Sequence, residues 1–163
     1  HGVRETMAFH VLFVCTGNTC RSPMAEVAAR RLLEPGANGE FTVSSAGVFG
    51  RDGTFASEGA QGVAREEGLR LDAFQSRLLT PEIVAEADLV LVMEPAHRAG
   101  VLAADPAADT RTFVLGEFAG ESGPDAAVGD PFGSSTESYR ETFGRIADLL
   151  SKGLARIREM AGQ

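Results

Sequence analysis

The sequence predicts an α/β fold in which helices cover both faces of a parallel sheet. Short apolar runs of strand length alternate with amphipathic segments along the chain, as expected for βαβ units. The chain has 163 residues, 44% of them hydrophobic, which is typical of one domain around a single core. We therefore expect one domain over residues 8–163, after an N-terminal extension at 1–7 that is disordered or remains from cloning.

The first strand and helix have the strongest signals. Residues 10–14, HVLFV, form a nearly continuous apolar run, which is typical of a buried parallel strand. Ser22 and Pro23 favour a helix start, with Ser22 as the cap and Pro23 at the first helical position. The apolar residues that follow share one helical face, and Pro35 and Gly36 end the pattern.

The later elements continue the alternation. Ser134 and Glu137 fit a capping box, after which apolar residues repeat at intervals of three and four. A ligand site in such a sheet is expected at the carboxyl ends of the strands. Strands are predicted at 41–47, 87–93 and 111–115, and helices at 57–67, from Thr80, at 95–103 and from Ser135 onwards.

Composition and charge exclude several classes of function. The formal net charge of −8 disfavours a general nucleic-acid binder, which needs a basic face. The sequence has no run of 18 apolar residues and no secretory signal pattern, so we expect a cytoplasmic protein without a membrane partner. His1, His10 and His97 are widely spaced, so no metal site is expected. We interpret His97 as a surface or packing residue.

The segment CTGNTCRS (15–22) directly follows the first predicted strand. A plain turn needs the glycine and the asparagine but neither the two cysteines nor the arginine. A turn that joins a strand to a helix exposes backbone N–H groups, which can form a concave anion site beside the helix N-terminus. Gly17 and Asn18 are the residues best suited to left-handed conformations in this turn.

Cys15 and Arg21 give this loop its chemistry. The planar guanidinium of Arg21 can bind two phosphate oxygens at once. A free thiol has a pKa of about 8.5, which a helix N-terminus and a nearby arginine can lower to roughly 3.5–7.5. We therefore expect Cys15 to be a thiolate at neutral pH, with the Ser22 hydroxyl donating to its sulfur. In-line attack by this sulfur on phosphorus would form a phosphocysteine. The predicted phosphate-binding residues are Thr16, Gly17, Asn18, Thr19, Cys20, Arg21 and Ser22.

The alternative interpretation of this segment is purely structural. Cys15 and Cys20 would then be small buried hydrophobic residues in a tight turn.

Residues 15–23 match, at every fixed position, the loop Cys-x-Gly-Asn-x-Cys-Arg-Ser-Pro of the low-molecular-weight protein phosphatases, which this sequence resembles. The resemblance continues through Ser45-Ala46-Gly47, LTPEIVAEADLVLVM and Asp130-Pro131, and covers residues 10 to about 155. It implies a four-stranded parallel sheet flanked by helices on both sides, and hydrolysis of phosphorylated proteins without a cofactor.

The resemblance also implies the identity of the acid. Asp130, in the segment VGDPFGSS, is expected to protonate the leaving group and then to activate the water that hydrolyses the phosphocysteine. Asp125 and Asp105 lie nearby in the sequence, and Asp105 precedes Pro106 where a helix is expected to stop. We interpret both of these as residues without a catalytic role.

Thr19 and Phe132 bear on the substrate. Tyrosine-directed members of the family often carry Ile or Leu at the position of Thr19, and usually have aromatic residues after the Asp-Pro pair. Here Phe132 is followed by Gly133 and Ser134, and the Thr19 hydroxyl can accept from a guanidinium. The segments CTGNTCRSPMAE, SAGVF and GDPFG resemble the protein-arginine-phosphatase branch. Protein phosphoarginine is the favoured substrate, and protein phosphotyrosine is the alternative.

The surroundings of the loop leave two questions open. Many relatives have a histidine near the position of Phe74 that braces the loop through Asn18 and Ser45. Phe74 cannot donate or accept a hydrogen bond, so Ser76 is the candidate substitute. Cys20 is either a packed small residue or the partner of the nucleophile in a reversible disulfide.

Two rival functions use a similar loop. An arsenate reductase needs additional cysteines to relay a disulfide, and this chain has two cysteines, both in the loop. A phosphocysteine carrier takes up one phosphate and stops, and it would not need Asp130 or the Arg21-Ser22 pair. We expect instead a monomeric phosphatase whose partners are its phosphorylated protein substrates.

Overall fold

A computed structural model of the chain describes residues 8–33 and 40–162. The predicted extension at 1–7 and the predicted helix stop at 35–36 lie outside the described residues. The described elements, in chain order, are β1 (Phe9–Cys15), α1 (Arg21–Leu33), β2 (Phe41–Gly47), α2 (Glu58–Glu66), α3 (Pro81–Ala85), β3 (Leu89–Val92), α4 (Pro95–Ala104), β4 (Thr112–Val114), α5 (Leu115–Phe118) and α6 (Thr136–Met160).

The strands form one parallel sheet in the order β2-β1-β3-β4. β1 therefore lies inside the sheet, where it pairs with β2 from Phe9↔Phe41 to Cys15↔Gly47. Its carboxyl end is Cys15, at the edge of the sheet where parallel α/β folds bind their ligands. The predicted four-stranded parallel sheet is confirmed.

The side chains of β1 alternate between two hydrophobic cores, one on each face of the sheet. Phe13 packs on the side of α1, α2 and α6, and Leu12 packs on the side of α3 and α4. Both side chains are fully buried, which explains why the strand reads as a continuous apolar run. No helix in the described part of the chain has the length and apolar character required to cross a bilayer.

The helices α2 and α3 begin where the sequence predicts. The Ser57 side chain accepts from the Ala60 N–H at the start of α2, and the Thr80 side chain accepts from the Ile83 N–H at the start of α3. Gly68, just beyond α2, has a φ of +76°, the left-handed geometry that ends many helices.

The predicted caps of α1 and α6 are wrong, by two residues for α1 and by one for α6. α1 begins at Arg21, so Ser22 lies within the helix, and its hydroxyl contacts the loop instead of capping. The N-cap of α6 is Ser135, which accepts from the Ser138 N–H at 3.2 Å. The Ser134 N–H bonds to the Pro131 carbonyl at 2.8 Å, so Ser134 belongs to the preceding turn.

Three short elements were not predicted. They are α5 and two 3-10 segments, Pro106–Arg111 and Gly123–Ala126. Each has six residues or fewer, which is too short to show a helical period in the sequence. The predicted strand at 111–115 consequently ends at Val114, because Leu115 begins α5.

Candidate active site

The loop after β1 has the backbone geometry of a tight anion-binding turn. Asn18 takes the left-handed conformation, with a φ of +59°, as predicted, whereas Gly17 does not. The loop packs against the end of β2 at Gly47. A Cβ atom on Gly47 would lie 2.5 Å from the Thr16 carbonyl oxygen and 2.8 Å from the Asn18 nitrogen, so only glycine permits this approach.

The carbonyl groups of the loop are anchored, and its amides are not. Thr16 O accepts from the Phe49 N–H and Thr19 O accepts from the Ser57 N–H, both at 2.9 Å. Within the described part of the chain, no N–H group of residues 16–20 donates to a protein acceptor. These amides, with the N-terminus of α1 beside them, are free to bind an anion.

Cys15 lies at the base of this loop with only 2% of its surface exposed. Its Sγ is 2.9 Å from the Ser22 hydroxyl. That hydroxyl already accepts from Asn18 Nδ2 at 2.8 Å, so its own hydrogen is directed to the sulfur. The Ser22 hydroxyl therefore holds the Cys15 sulfur in place at the base of the loop.

A second layer of side chains fixes Asn18. Its Nδ2 donates to the Ser45 hydroxyl at 2.9 Å, and its Oδ1 accepts from the Arg77 N–H at 2.8 Å. Ser45 in turn donates to Glu26 Oε1 at 2.6 Å. Ser45 therefore lies where the sequence predicts, next to Asn18, whereas Glu26 was missed. A sequence signal existed, because Glu26 lies one helical turn beyond Ser22, on the helix that follows the loop.

Ser76 does not replace the missing histidine. Its hydroxyl donates to the Arg51 carbonyl and accepts from the Thr54 N–H at 3.0 Å. Phe74 packs against the hydrophobic core. The hydrogen bond to Asn18 that Ser76 was expected to supply comes instead from the backbone N–H of Arg77. The sequence cannot predict this bond, because almost every residue type carries a backbone N–H.

The Arg21 guanidinium is 2% exposed and is held from two sides. Nη1 donates to the Glu94 carboxylate and, at 2.8 Å, to the Val128 carbonyl. Nη2 donates to Thr16 Oγ1 at 3.3 Å and lies 3.7 Å from Asp130 Oδ2. Nη1 is thus used to fix the side chain, while Nη2 borders the cavity described below.

Glu94 was missed by the sequence interpretation. It comes two residues after β3, so it lies at the same carboxyl edge of the sheet as Cys15. A carboxylate at that position could have been nominated from the strand pattern alone. Its pairing with Arg21 offsets the cost of burying the guanidinium.

His97 was predicted to be a surface or packing residue. It is 3% exposed, so it is packed and not on the surface, and it also bonds to the loop, which was not predicted. Burial, reinforced by the charge of Arg21, lowers the pKa of His97 to about 4. The ring is therefore neutral at pH 7. Its Nδ1 accepts from the Glu94 N–H at 3.2 Å, so its Nε2 carries the proton and donates to Thr16 Oγ1 at 2.9 Å.

The lowered pKa of His97 predicts a pH-dependent stability. The ordinary value is 6.5, so the unfolded chain binds this proton between pH 6.5 and 4 while the folded chain does not. Stability is therefore lost as the pH falls through this window, by roughly 3 kcal/mol at full effect. Urea unfolding of the wild type and of His97→Gln at pH 7 and pH 4.5 measures it. Between pH 7 and pH 4.5, we expect the free energy of unfolding to fall more for the wild type than for His97→Gln. The same fall in both proteins would contradict this.

Asp130 lies across the cavity from the loop. Its side chain is 47% exposed, and its Oδ1 accepts from the Phe132 N–H at 3.0 Å. A cavity of about 230 Å³ is lined by Asp130 together with Cys15, Thr16, Gly17, Thr19, Cys20, Arg21 and Phe132. The folding of the chain thus brings Asp130, 115 positions from Cys15 in the sequence, to the same cavity.

The two other aspartates lie elsewhere. Asp105 caps the first 3-10 segment by accepting from the Ala107 N–H at 3.1 Å, and it pairs with Arg111 at 3.6 Å. Asp125 lies on the second 3-10 segment and does not line the cavity.

Cys20 is buried and its thiol is free, as is that of Cys15. Its Sγ donates to the Ser57 hydroxyl at 3.3 Å and lies 3.4 Å from the Tyr139 hydroxyl. Burial, reinforced by the contact with Cys20, raises the pKa of Tyr139 to about 12. The packed interpretation of Cys20 is thus realised in this state, and the reversible disulfide with Cys15 stays a prediction.

The cavity combines the parts needed to transfer a phosphoryl group. It has unpaired amides and a guanidinium for the oxygens, a buried thiol at the base, and a half-exposed carboxyl group at the mouth. The Phe132 ring is 68% exposed at that mouth.

Comparison with known proteins agrees with this chemistry. The family described as low molecular weight phosphotyrosine protein phosphatase matches residues 10–161. A protein-arginine-phosphatase of Geobacillus stearothermophilus is 38% identical over 146 residues, which are 90% of this chain and 94% of that protein. The low molecular weight protein-tyrosine-phosphatase PtpB of Staphylococcus haemolyticus is 34% identical over 142 residues, which are 87% of this chain and 95% of that protein.

A solved structure is similar as well. It is a serine-for-cysteine mutant of the YwlE arginine phosphatase, with its active-site serine phosphorylated. It aligns with a TM-score of 0.85 at 32% identity, and covers 93% of this chain and 97% of its own.

Proposed function

This chain belongs to the low molecular weight phosphotyrosine protein phosphatase family, and on that basis we propose that it hydrolyses phosphorylated protein side chains through a phosphocysteine on Cys15. One observation carries the proposal. Cys15, Arg21 and Asp130 line a single cavity at the carboxyl end of β1, beneath a loop whose amides have no protein acceptor in the described chain.

The first step transfers the phosphoryl group to sulfur. The thiolate of Cys15 attacks phosphorus as the bond from phosphorus to the leaving group breaks. Asp130 gives its proton to the leaving nitrogen or oxygen. The loop amides and Nη2 of Arg21 hold the phosphoryl oxygens, and they stabilise the charge that develops on them.

The second step regenerates the enzyme. Asp130, now a carboxylate, takes a proton from water, and the water oxygen attacks phosphorus. The S–P bond breaks, so Cys15 leaves as a thiolate and inorganic phosphate is released. The serine-for-cysteine mutant named above carries phosphate on its active-site serine, which supports Cys15 as the residue that accepts it here.

We propose protein phosphoarginine as the substrate. Thr19 lines the cavity, and its hydroxyl can accept from a guanidinium N–H. Asp130 adds a carboxyl group at the mouth that can hydrogen-bond to the same guanidinium group. The Geobacillus relative, named a protein-arginine-phosphatase, adds support.

Phosphotyrosine is the second candidate, and Phe132 is the observation in its favour. Its exposed ring at the mouth of the cavity could stack on the ring of a phosphotyrosine. The Staphylococcus relative is named a tyrosine phosphatase.

Two peptides of one sequence, one with phosphoarginine and one with phosphotyrosine, separate these candidates. We expect a higher kcat/KM for the phosphoarginine peptide. A strong preference for phosphotyrosine would remove the arginine assignment and leave the phosphocysteine mechanism standing. We also propose that the protein acts as a monomer in the cytoplasm, and that its partners are its phosphorylated protein substrates.

Replacing Thr19 tests how the choice is made. We expect Thr19→Ile to shift the kcat/KM ratio toward phosphotyrosine by roughly tenfold to a hundredfold, because a hydrogen bond to a charged donor is lost. Thr19→Val is the matched variant, since it removes the hydroxyl at nearly constant size. A ratio unchanged in both variants would mean that Thr19 does not select the substrate.

A further inference from the structure

A groove of about 710 Å³ lies beside the catalytic cavity, between α2 and the start of α6. Phe132 lines both spaces. Ser57 and Tyr139 line the groove, and both contact the sulfur of Cys20, which lines the cavity. The groove therefore adjoins the candidate active site, with Phe132 in the lining of both.

The catalytic cavity is much smaller, at about 230 Å³. It suits one phosphorylated side chain, so the main chain of a protein substrate has to run outside it. The groove is lined largely by polar groups, among them Gln61 and Ser134, which can hydrogen-bond a peptide main chain.

Two charged residues of α2 line this groove, Glu58 near its start and Arg65 near its end. They are seven positions apart, which places them on one helical face about 10 Å apart along the axis. Both are exposed, and neither has an ion-pair partner among the residues that the structure describes.

Glu58 and Arg65 lie at different distances from the catalytic cavity. The Ser57 N–H bonds to the Thr19 carbonyl of the phosphate-binding loop at 2.9 Å, so the N-terminus of α2 adjoins the cavity. Glu58 is next to that contact, and Arg65 lies two helical turns farther away.

We propose that this groove binds the segment of the protein substrate next to the phosphorylated residue, in an extended conformation. A basic side chain near the phosphorylated residue would lie opposite Glu58. An acidic side chain about three residues farther along would lie opposite Arg65, because three extended residues span about 10 Å. This specificity rests on the proposed function and adds a preferred sequence context to it.

Four phosphopeptides test the proposal. Each peptide carries the same phosphorylated residue, and a lysine and a glutamate three positions apart. The lysine is the closer of the two to the phosphorylated residue in two peptides, and the glutamate is the closer in the other two. The charges follow the phosphorylated residue in one peptide of each pair and precede it in the other. In at least one chain direction, we expect kcat/KM to be about threefold to tenfold higher when lysine is nearer, as two exposed charge pairs allow.

The matched enzyme variant exchanges the two charges, Glu58→Arg together with Arg65→Glu. We expect it to reverse the preference between peptides and to leave the turnover of p-nitrophenyl phosphate unchanged, because that substrate does not reach the groove. Glu58→Gln with Arg65→Gln should abolish the preference. Thermal unfolding of each variant verifies that the fold is retained.

The outcomes separate this inference from the function on which it rests. Equal kcat/KM for all four peptides with the wild type, or a preference that the charge exchange does not reverse, would overturn the groove proposal and leave the phosphatase intact. If neither the peptides nor p-nitrophenyl phosphate is hydrolysed, the proposed function fails. In that case, fluorescence anisotropy of the four labelled peptides tests the groove proposal by their affinities. The groove proposal is wrong as well if the affinities do not show the same charge preference.

Discussion

Replacing Cys15 by serine is expected to lower kcat by about 10⁴-fold or more. The serine hydroxyl is a far weaker nucleophile than a thiolate, since it stays protonated at neutral pH. It can also keep the contact that Sγ now makes with Ser22 at 2.9 Å, so the loop should retain its shape. Initial rates with p-nitrophenyl phosphate, together with the thermal unfolding temperature, measure the two halves of this expectation.

Cys20→Ser is the matched control, because it makes the same chemical change five positions away. The sulfur of Cys20 is directed to Ser57 and Tyr139, so this variant should lose much less activity than Cys15→Ser. Substantial turnover by Cys15→Ser, or an equal loss in both variants, would remove Cys15 from the role of nucleophile.

Replacing Asp130 by asparagine is expected to lower kcat/KM, which reports the step in which the leaving group departs, by about 10² to 10⁴ for a substrate with a strongly basic leaving group. The amide keeps the size of the carboxyl group and can still accept from the Phe132 N–H, but it has no proton to give. The loss should be smaller for p-nitrophenyl phosphate, because p-nitrophenolate leaves without protonation. The dependence of the loss on the leaving group is thus the signature of an acid.

Asp125→Asn is the matched control for this change. Asp125 lies on the neighbouring 3-10 segment and is exposed, but it does not line the cavity. We expect its kcat/KM to stay close to that of the wild type. A loss in Asp130→Asn that is the same for good and poor leaving groups would show that Asp130 positions the substrate and does not protonate it.

The part of the site that the sequence could predict is the part that is local. Cys15, Asn18 and Arg21 lie within seven residues of each other, where a strand with a continuous apolar pattern ends and the next helix begins. Because β1 lies inside a parallel sheet, its carboxyl end is a binding position whatever the details of packing.

The contacts that fix the site could not be predicted in the same way. Glu94 and His97 reach Arg21 and Thr16 from more than 70 positions away, and each is an ordinary residue type at the start of an ordinary helix. The strand pattern could have placed Glu94 at the carboxyl edge of the sheet, but the partners of both residues follow from the burial of the guanidinium and of the imidazole, which is a property of the fold.

Tertiary contacts also explain the predictions that were wrong. Ser22 was expected to cap α1 as well as to contact the sulfur of Cys15, and of these two roles only the cap was wrong, whereas Ser76 was expected to brace the loop. In the fold, the Ser22 hydroxyl lies between Cys15 and Asn18, and the Ser76 hydroxyl bonds to the backbone of Arg51. A short polar side chain bonds to whichever partner the fold brings close, so its residue type alone does not fix its role.

The most direct measurement is a rapid acid quench of the wild-type enzyme during turnover of p-nitrophenyl phosphate, followed by mass spectrometry of its peptides. We expect a stoichiometric phosphate on the sulfur of Cys15, formed as fast as p-nitrophenol is first released and lost as inorganic phosphate appears. Steady turnover with no phosphate on Cys15, or with phosphate on another residue in its place, would contradict a reaction that passes through this sulfur.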